Sequence, residues 1–192
     1  MKTGWISKFL ILLAVVAIAT AGCMARGDKR MDDSLERYRQ ALVDFPGHVD
    51  GIERGLERFA RAYADLTAPE ISQLMAELYA ERLFFNDTIH TFEDRDSLAG
   101  YMGKTGASLD SSVISIDQII RDQDDVFVRW TMEFKTRAAG RDIHSRSIGV
   151  SHLRFNADGE VVLHQDFWDS GHALYAHLPL VGFAVRRARA RL

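Results

Sequence analysis

Glu160-Val161-Val162-Leu163-His164-Gln165-Asp166-Phe167-Trp168-Asp169 alternates, is rich in β-formers, and sets an imidazole, a carboxylate and an indole at every second position. Successive residues of a strand face opposite sides, so Val162, His164, Asp166 and Trp168 share one face. Val161, Leu163, Gln165 and Phe167 share the other. A polar pair between an aliphatic and an aromatic residue describes a wall that meets a partly dry cavity. Upstream, Asn156-Ala157-Asp158-Gly159 supplies a turn, and His144 to Phe155 reads as the preceding strand. With that four-residue loop, Phe155 is expected opposite Glu160, Gly149 opposite Asp166, and Ser151 opposite His164. Gly149, Ser151 and Leu153 then join the cavity wall, with room above Gly149 for a ligand. Ile148, Val150, His152, Leu163 and Phe167 form the reverse face, which calls for cover by another subunit or a peripheral element. A one-residue slip would exchange the faces.

Further upstream the period of two continues. Val126, Val128, Trp130, Met132 and Phe134 alternate with Arg129, Thr131, Glu133 and Lys135, and Val113 to Ile120 precedes them as another strand. Before Leu109 the period is helical. Leu56, Phe59, Tyr63 and Leu66 form one stripe, and Ile71, Leu74, Leu78 and Tyr79 a second. Thr67-Ala68-Pro69-Glu70 has capping-box spacing, so the second helix is expected to start there. Leu83-Phe84-Phe85 reads as a short buried strand. A third helix, carrying Leu98, Tyr101, Met102 and Leu109, follows Asp94 or Asp96. Helices followed by a meander of long strands make an α+β domain.

The N-terminus reads as an address. Lys2 and Lys8 precede the apolar run Phe9 to Ile18, and Ala19-Thr20-Ala21-Gly22 leads into Cys23. That layout is a secretory signal, residues 1–22, with a run too short to span a membrane comfortably. The end resembles the lipobox of bacterial lipoproteins, although Thr20 stands where Leu is usual. The resemblance implies lipidation at Cys23 and a place in the bacterial cell envelope, anchored to a membrane and facing the periplasm or exterior. Cys23 is the sole cysteine, so no internal disulfide forms, and no neighbouring base makes it a nucleophile. Removing residues 1–22 takes away Lys2 and Lys8 and leaves 22 basic against 27 acidic side chains. Such a surface has no global attraction for nucleic acid. Residues 23–50 read as a tether with a modest helix marked by Leu35, Tyr38 and Leu42.

Residues 51–170 form the expected domain, and here the chain resembles the NTF2-like superfamily and within it the SnoaL-like proteins. The resemblance rests on Leu78-Tyr79-Ala80-Glu81, on Phe85-Asn86-Asp87 before an Asp-started helix, on the Phe155 to Val161 hairpin, and on Asp166-Phe167-Trp168-Asp169. It implies a strongly bent antiparallel sheet wrapped around three N-terminal helices as a cone, with a pocket at the open end. It also implies homodimers through the outer sheet face.

Asp166 is the first candidate for chemistry. The resemblance places it where SnoaL-like cyclases use an aspartate for proton transfer; the alternative is a buried Asp bonded to His164, a Tyr or a backbone N–H. Asp87 resembles the proton-shuttling aspartate of ketosteroid isomerases, with Thr88 where Pro is expected, and reads equally as a turn residue. Tyr63 and Tyr101 fit either as donors to an oxyanion or as core residues. Trp130, Gly149, Ser151, His164 and Trp168 complete the expected pocket. His164 and Asp166 offer two metal ligands, and the third would have to be His144 or His152, the latter on the reverse face, so no metal is expected. No Gly-rich phosphate loop or nucleophile elbow appears, and no cofactor is expected. The tail, 171–192, runs through Leu174, Leu178, Phe183 and Val185 into Arg186, Arg187, Arg189 and Arg191. It reads as a final helix packed on the domain or as a segment lying on an anionic membrane. Three functions follow: a lipid-anchored module binding a small apolar or amphipathic molecule, an acid/base isomerase, cyclase or hydrolase, and an envelope interaction protein. The incomplete catalytic set favours the first.

Overall fold

The structure, a computed structural model, describes residues 33–138, 140–178 and 181–191. The expected signal, Cys23 and most of the tether lie outside these residues. The chain divides into two compact units, 1–41 and 42–192. In the first, the described residues are helical, the start of α1 (33–44).

The second unit carries one bent six-stranded sheet with helices α2 (Ile52–Tyr63), α3 (Ile71–Leu78) and α4 (Arg95–Ala107). Its strands are β1 (Tyr79–Asn86), β2 (Thr91–Asp94), β3 (Ser111–Asp122), β4 (Asp125–Ala138), β5 (Arg141–Phe155) and β6 (Val161–Trp168), in the order β2-β1-β6-β5-β4-β3. Neighbours are antiparallel except β1 and β6, which run parallel. That single parallel pairing sets Phe85 beside His164 and brings the start of the sheet to its end.

The expected stripes are the buried ones. Leu56, Phe59 and Tyr63 of α2 and Met75 and Leu78 of α3 meet Val126, Val128, Leu153 and Phe155 of the sheet in one core. Helix α2 approaches closely because Gly55 has no side chain: a Cβ there would stand 2.1 Å from the Phe155 ring. The expected capping box before α3 does not close. Asp65 Oδ1 accepts both the Thr67 hydroxyl (2.6 Å) and the Thr67 N–H (2.8 Å), so Thr67 is spent on a turn and α3 begins at Ile71 without a side-chain cap. Helix α4 is capped by Asp94, whose Oδ1 accepts the Ser97 N–H at 2.8 Å.

The β5–β6 register corrects the expected one. Phe155 pairs with Val161, and from Arg154 and Leu163 onward an extra residue, Val162, has been absorbed as a bulge. Ser151 therefore faces Asp166, Gly149 faces Trp168, and Leu153 faces His164. The offset is two residues over most of the hairpin, so His164, Asp166 and Trp168 keep their face while their partners change. At the bulge itself Val161, not Val162, turns into the core.

The reverse face is covered in part by residues 42–48. Arg154 Nη1 donates to the Leu42 carbonyl (2.8 Å), the Gly47 N–H donates to Asp124 (2.9 Å), and the His48 N–H donates to the Phe155 carbonyl (2.7 Å). Arg82 lies over the Phe45 ring. Beneath this strap His152 stacks on Phe127 and bonds Asp125 at 2.7 Å, while Arg154 Nε bonds the same carboxylate. Burial opposes charge on Asp125, but the bonds from Arg154 and His152 outweigh it and hold its carboxyl below the usual range. Burial pushes the His152 imidazole below its ordinary value despite the attraction of Asp125. The unfolded chain takes up a proton near pH 6.5 that folded His152 resists, so this contribution to stability is present above about pH 6.5 and lost as pH falls through the folded value. Urea midpoints measured from pH 7 to pH 5 should decline less steeply in His152→Gln than in the parent chain; parallel slopes would remove His152 as the cause.

Candidate functional site

Asp166 and Asp87 line the same cavity, of about 350 Å³. Tyr63, Tyr101, Trp130, Ser151 and Trp168 line it as well. Gly149 does not, and its expected role is corrected. The space above it is filled by the Trp130 indole, since a Cβ on Gly149 would lie 2.3 Å from the ring. Gly149 thus seats a wall residue and leaves no room for a ligand. His164 is fully buried behind the wall rather than in it.

The polar atoms of this wall form one connected chain. Trp130 Nε1 donates to Ser151 Oγ at 2.9 Å, and Ser151 Oγ donates to Asp166 Oδ1 at 2.5 Å. His164 Nε2 lies 2.8 Å from the same Oδ1, Tyr79 Oη lies 2.5 Å from His164 Nδ1, and Tyr63 Oη lies 2.6 Å from Tyr79 Oη. A carboxylate is acceptor-only, so His164 donates from Nε2 to Asp166. With a neutral imidazole, Nδ1 then accepts from Tyr79, and Tyr79 accepts from Tyr63. Burial pushes both tyrosine hydroxyls well above their ordinary range, and next in size are the Asp166 carboxylate for Tyr63 and the Tyr63 hydroxyl for Tyr79.

Asp87 closes the turn between β1 and β2. Its Oδ1 accepts the N–H groups of Ile89 (2.8 Å) and His90 (2.7 Å), with Thr88 in the left-handed region at φ 73°. Its Oδ2 accepts the Tyr101 hydroxyl at 2.6 Å, and its carbonyl accepts Trp168 Nε1 at 2.8 Å. Burial, then the charge of Asp87, raises the Tyr101 hydroxyl above its ordinary value. The turn reading and the pocket reading of Asp87 therefore describe one residue. His152 faces the reverse side and His144 pairs with Glu133 at the surface, and no three metal-ligating side chains cluster among the described residues.

Several lining residues escaped the sequence reading. Phe59 and Phe85 were readable only as core, and Leu174 only as part of the tail. The tail begins with α5 (Ser170–Ala173), where Ser145 Oγ donates to the Ala173 carbonyl at 2.6 Å, which carries Leu174 to the cavity. Tyr79 read as the end of a helical stripe; it opens β1 and delivers its hydroxyl to His164.

The sequence profile of the SnoaL-like domain matches residues 56–164, more than half of the chain. The chain belongs to the SnoaL-like domain family. No curated protein matches the sequence. Among solved structures, a hypothetical protein of ketosteroid isomerase-like fold from Catenulispora acidiphila, in complex with trimethylamine, superposes with a TM-score of 0.54 at 18% identity, covering 64% of this chain and 91% of that one. A putative SnoaL-like polyketide cyclase from Shewanella putrefaciens gives 0.53 at 13% identity, covering 62% and 82%. At such identities the likeness establishes the fold alone. In this SnoaL-like domain Asp166 and Trp168 fall just beyond the matched span, while Tyr63, Tyr79, Asp87 and Ser151 fall within it.

The middle of the buried chain is its most sensitive point. Tyr79→Phe removes the hydroxyl between Tyr63 and His164 Nδ1, which are themselves 3.5 Å apart, at an expected cost of about 1–3 kcal/mol. Thermal unfolding should show a melting point lower by roughly 2–4 °C per kcal/mol. An unchanged melting point would mean that the chain of bonds contributes nothing to stability.

Proposed function

We propose that this protein is an exported, lipid-anchored SnoaL-like protein that holds a small apolar or amphipathic molecule in the cavity of its cone. The observation that carries the reading is the cavity itself. Its size falls at the lower end of small-molecule sites, and its wall is aromatic and aliphatic with two carboxylates as the charged groups of fixed sign. The alternative, an acid/base enzyme using Asp166 and Asp87, needs donors for a developing oxyanion. The Tyr63 and Tyr101 hydroxyls are committed to Tyr79 and Asp87, which weighs against it. Native mass spectra of the full-length protein in detergent should show an added small-molecule mass that is lost on denaturation. Spectra of the bare chain alone would remove tight binding and shift weight to the enzyme reading.

Membrane attachment rests on the Ala21-Gly22-Cys23 sequence, and among the described residues no helix is long and apolar enough to cross a membrane. The basic tail helix α6 (Val181–Arg189) supports a second contact with anionic lipid, since Phe183 is 64% exposed beside Arg186 and Arg187. Exposed Ile148 and Val113 on the reverse sheet face support a homodimer. Cys23→Ser should abolish lipid labelling and move the protein out of the membrane fraction; retention of both would refute the anchor.

A further inference from the structure

The donors and acceptors around the cavity are unequally spent. The Trp130 indole N–H goes to Ser151, the Trp168 indole N–H to the Asp87 carbonyl, and the Ser151 hydroxyl to Asp166. The Tyr63 hydroxyl goes to Tyr79 and the Tyr101 hydroxyl to Asp87. Near the floor, Ser108 donates to the Thr105 carbonyl and Thr136 to the Ser108 carbonyl. These donors thus point into the protein. Its acceptors are less fully used. A carboxylate has about four acceptor positions. Among the described residues Asp166 receives two bonds, both on Oδ1, and the Asp87 side chain receives three.

The lining also contains no Lys or Arg; besides the two carboxylates and the Tyr63 and Tyr101 hydroxyls, its titratable side chain is the exposed imidazole of His90. Both carboxylates line one small volume. Around that volume stand the indoles of Trp130 and Trp168, their centroids 6.5 Å apart at 53°, together with Phe59 and Phe85. An anion entering this site meets two carboxylates, opposed by no Lys or Arg of the wall. A neutral apolar guest strips water from Asp166, whose side chain is 14% exposed, and returns nothing to it. A cation with apolar substituents answers both features, its charge to the carboxylates and its alkyl groups to the ring faces.

We propose that the cavity takes an organic cation, a protonated or quaternary amine carrying apolar groups. The proposal rests on the small-molecule reading of the cavity and narrows it to one charge class. The test compares benzyl(2-hydroxyethyl)dimethylammonium with its neutral carbon isostere, 3,3-dimethyl-4-phenylbutan-1-ol, by calorimetry on the full-length protein in an uncharged detergent. The cation is expected to bind at least about tenfold more tightly. In Asp166→Asn the ratio should fall toward one while binding of the neutral compound persists. Asp87→Asn supplies the same readout if the first variant fails to fold. Equal or tighter binding of the neutral compound would overturn the cation and leave the cavity reading standing. Binding of neither would overturn the cation, and together with bare native spectra would overturn the cavity reading too.

Discussion

The hydrogen bond from His164 to Asp166 joins two residues of one strand, yet through it four strands and a helix are tied together. His164 accepts from Tyr79 of β1, Tyr79 accepts from Tyr63 of α2, and Asp166 accepts from Ser151 of β5, which is held by Trp130 of β4. Each group is buried or nearly so, and a buried polar chain is tolerable only when complete. Removing an inner member takes a partner from each of its neighbours. The chain therefore restricts the register of β5 on β6, the tautomer of His164 and the tilt of α2 together.

That requirement explains why the bulge at Val162 matters. Without it the Phe155–Val161 pairing would run on to set Ser151 opposite Gln165 and Gly149 opposite Phe167, and Asp166 would turn to the other face of the sheet. With it Ser151 reaches Asp166, and Gly149, which pairs with Trp130 of β4, stands opposite Trp168 of β6. One inserted residue thus sets the position of the carboxylate's donor and of the aromatic wall beside it.

The fold was legible because its signals are local and periodic. The stripes of α2 and α3, the alternation of β4 and the Asp94 cap each follow from neighbours within a few residues. The face shared by His164, Asp166 and Trp168 of β6 was legible for the same reason, whereas Asp87 came to the cavity through the family resemblance and Tyr63 and Tyr101 read equally as core. What escaped depends on distant partners. No pattern near Tyr79 announces His164, 85 residues away, and Gly149 reads as open space until Trp130 is seen to occupy it. The capping box failed because Asp65, outside the motif, competes for Thr67.

The two carboxylates reach the cavity by different routes, and this bears on what the site can do. Asp166 stands on a central strand, fixed by donors that are themselves buried. Asp87 stands in a turn, fixed by two backbone N–H groups and by the Tyr101 hydroxyl. A proton-transfer site profits from one carboxyl and a set of donors opposed to it. Here the donors stand on the same side as the carboxylates and bind them. The wall is thereby a preorganised field of one sign, rigid because each hydroxyl that could soften it is already held by the protein. Such a field stabilises positive charge that is already present in a bound molecule, and it opposes the creation of negative charge within it.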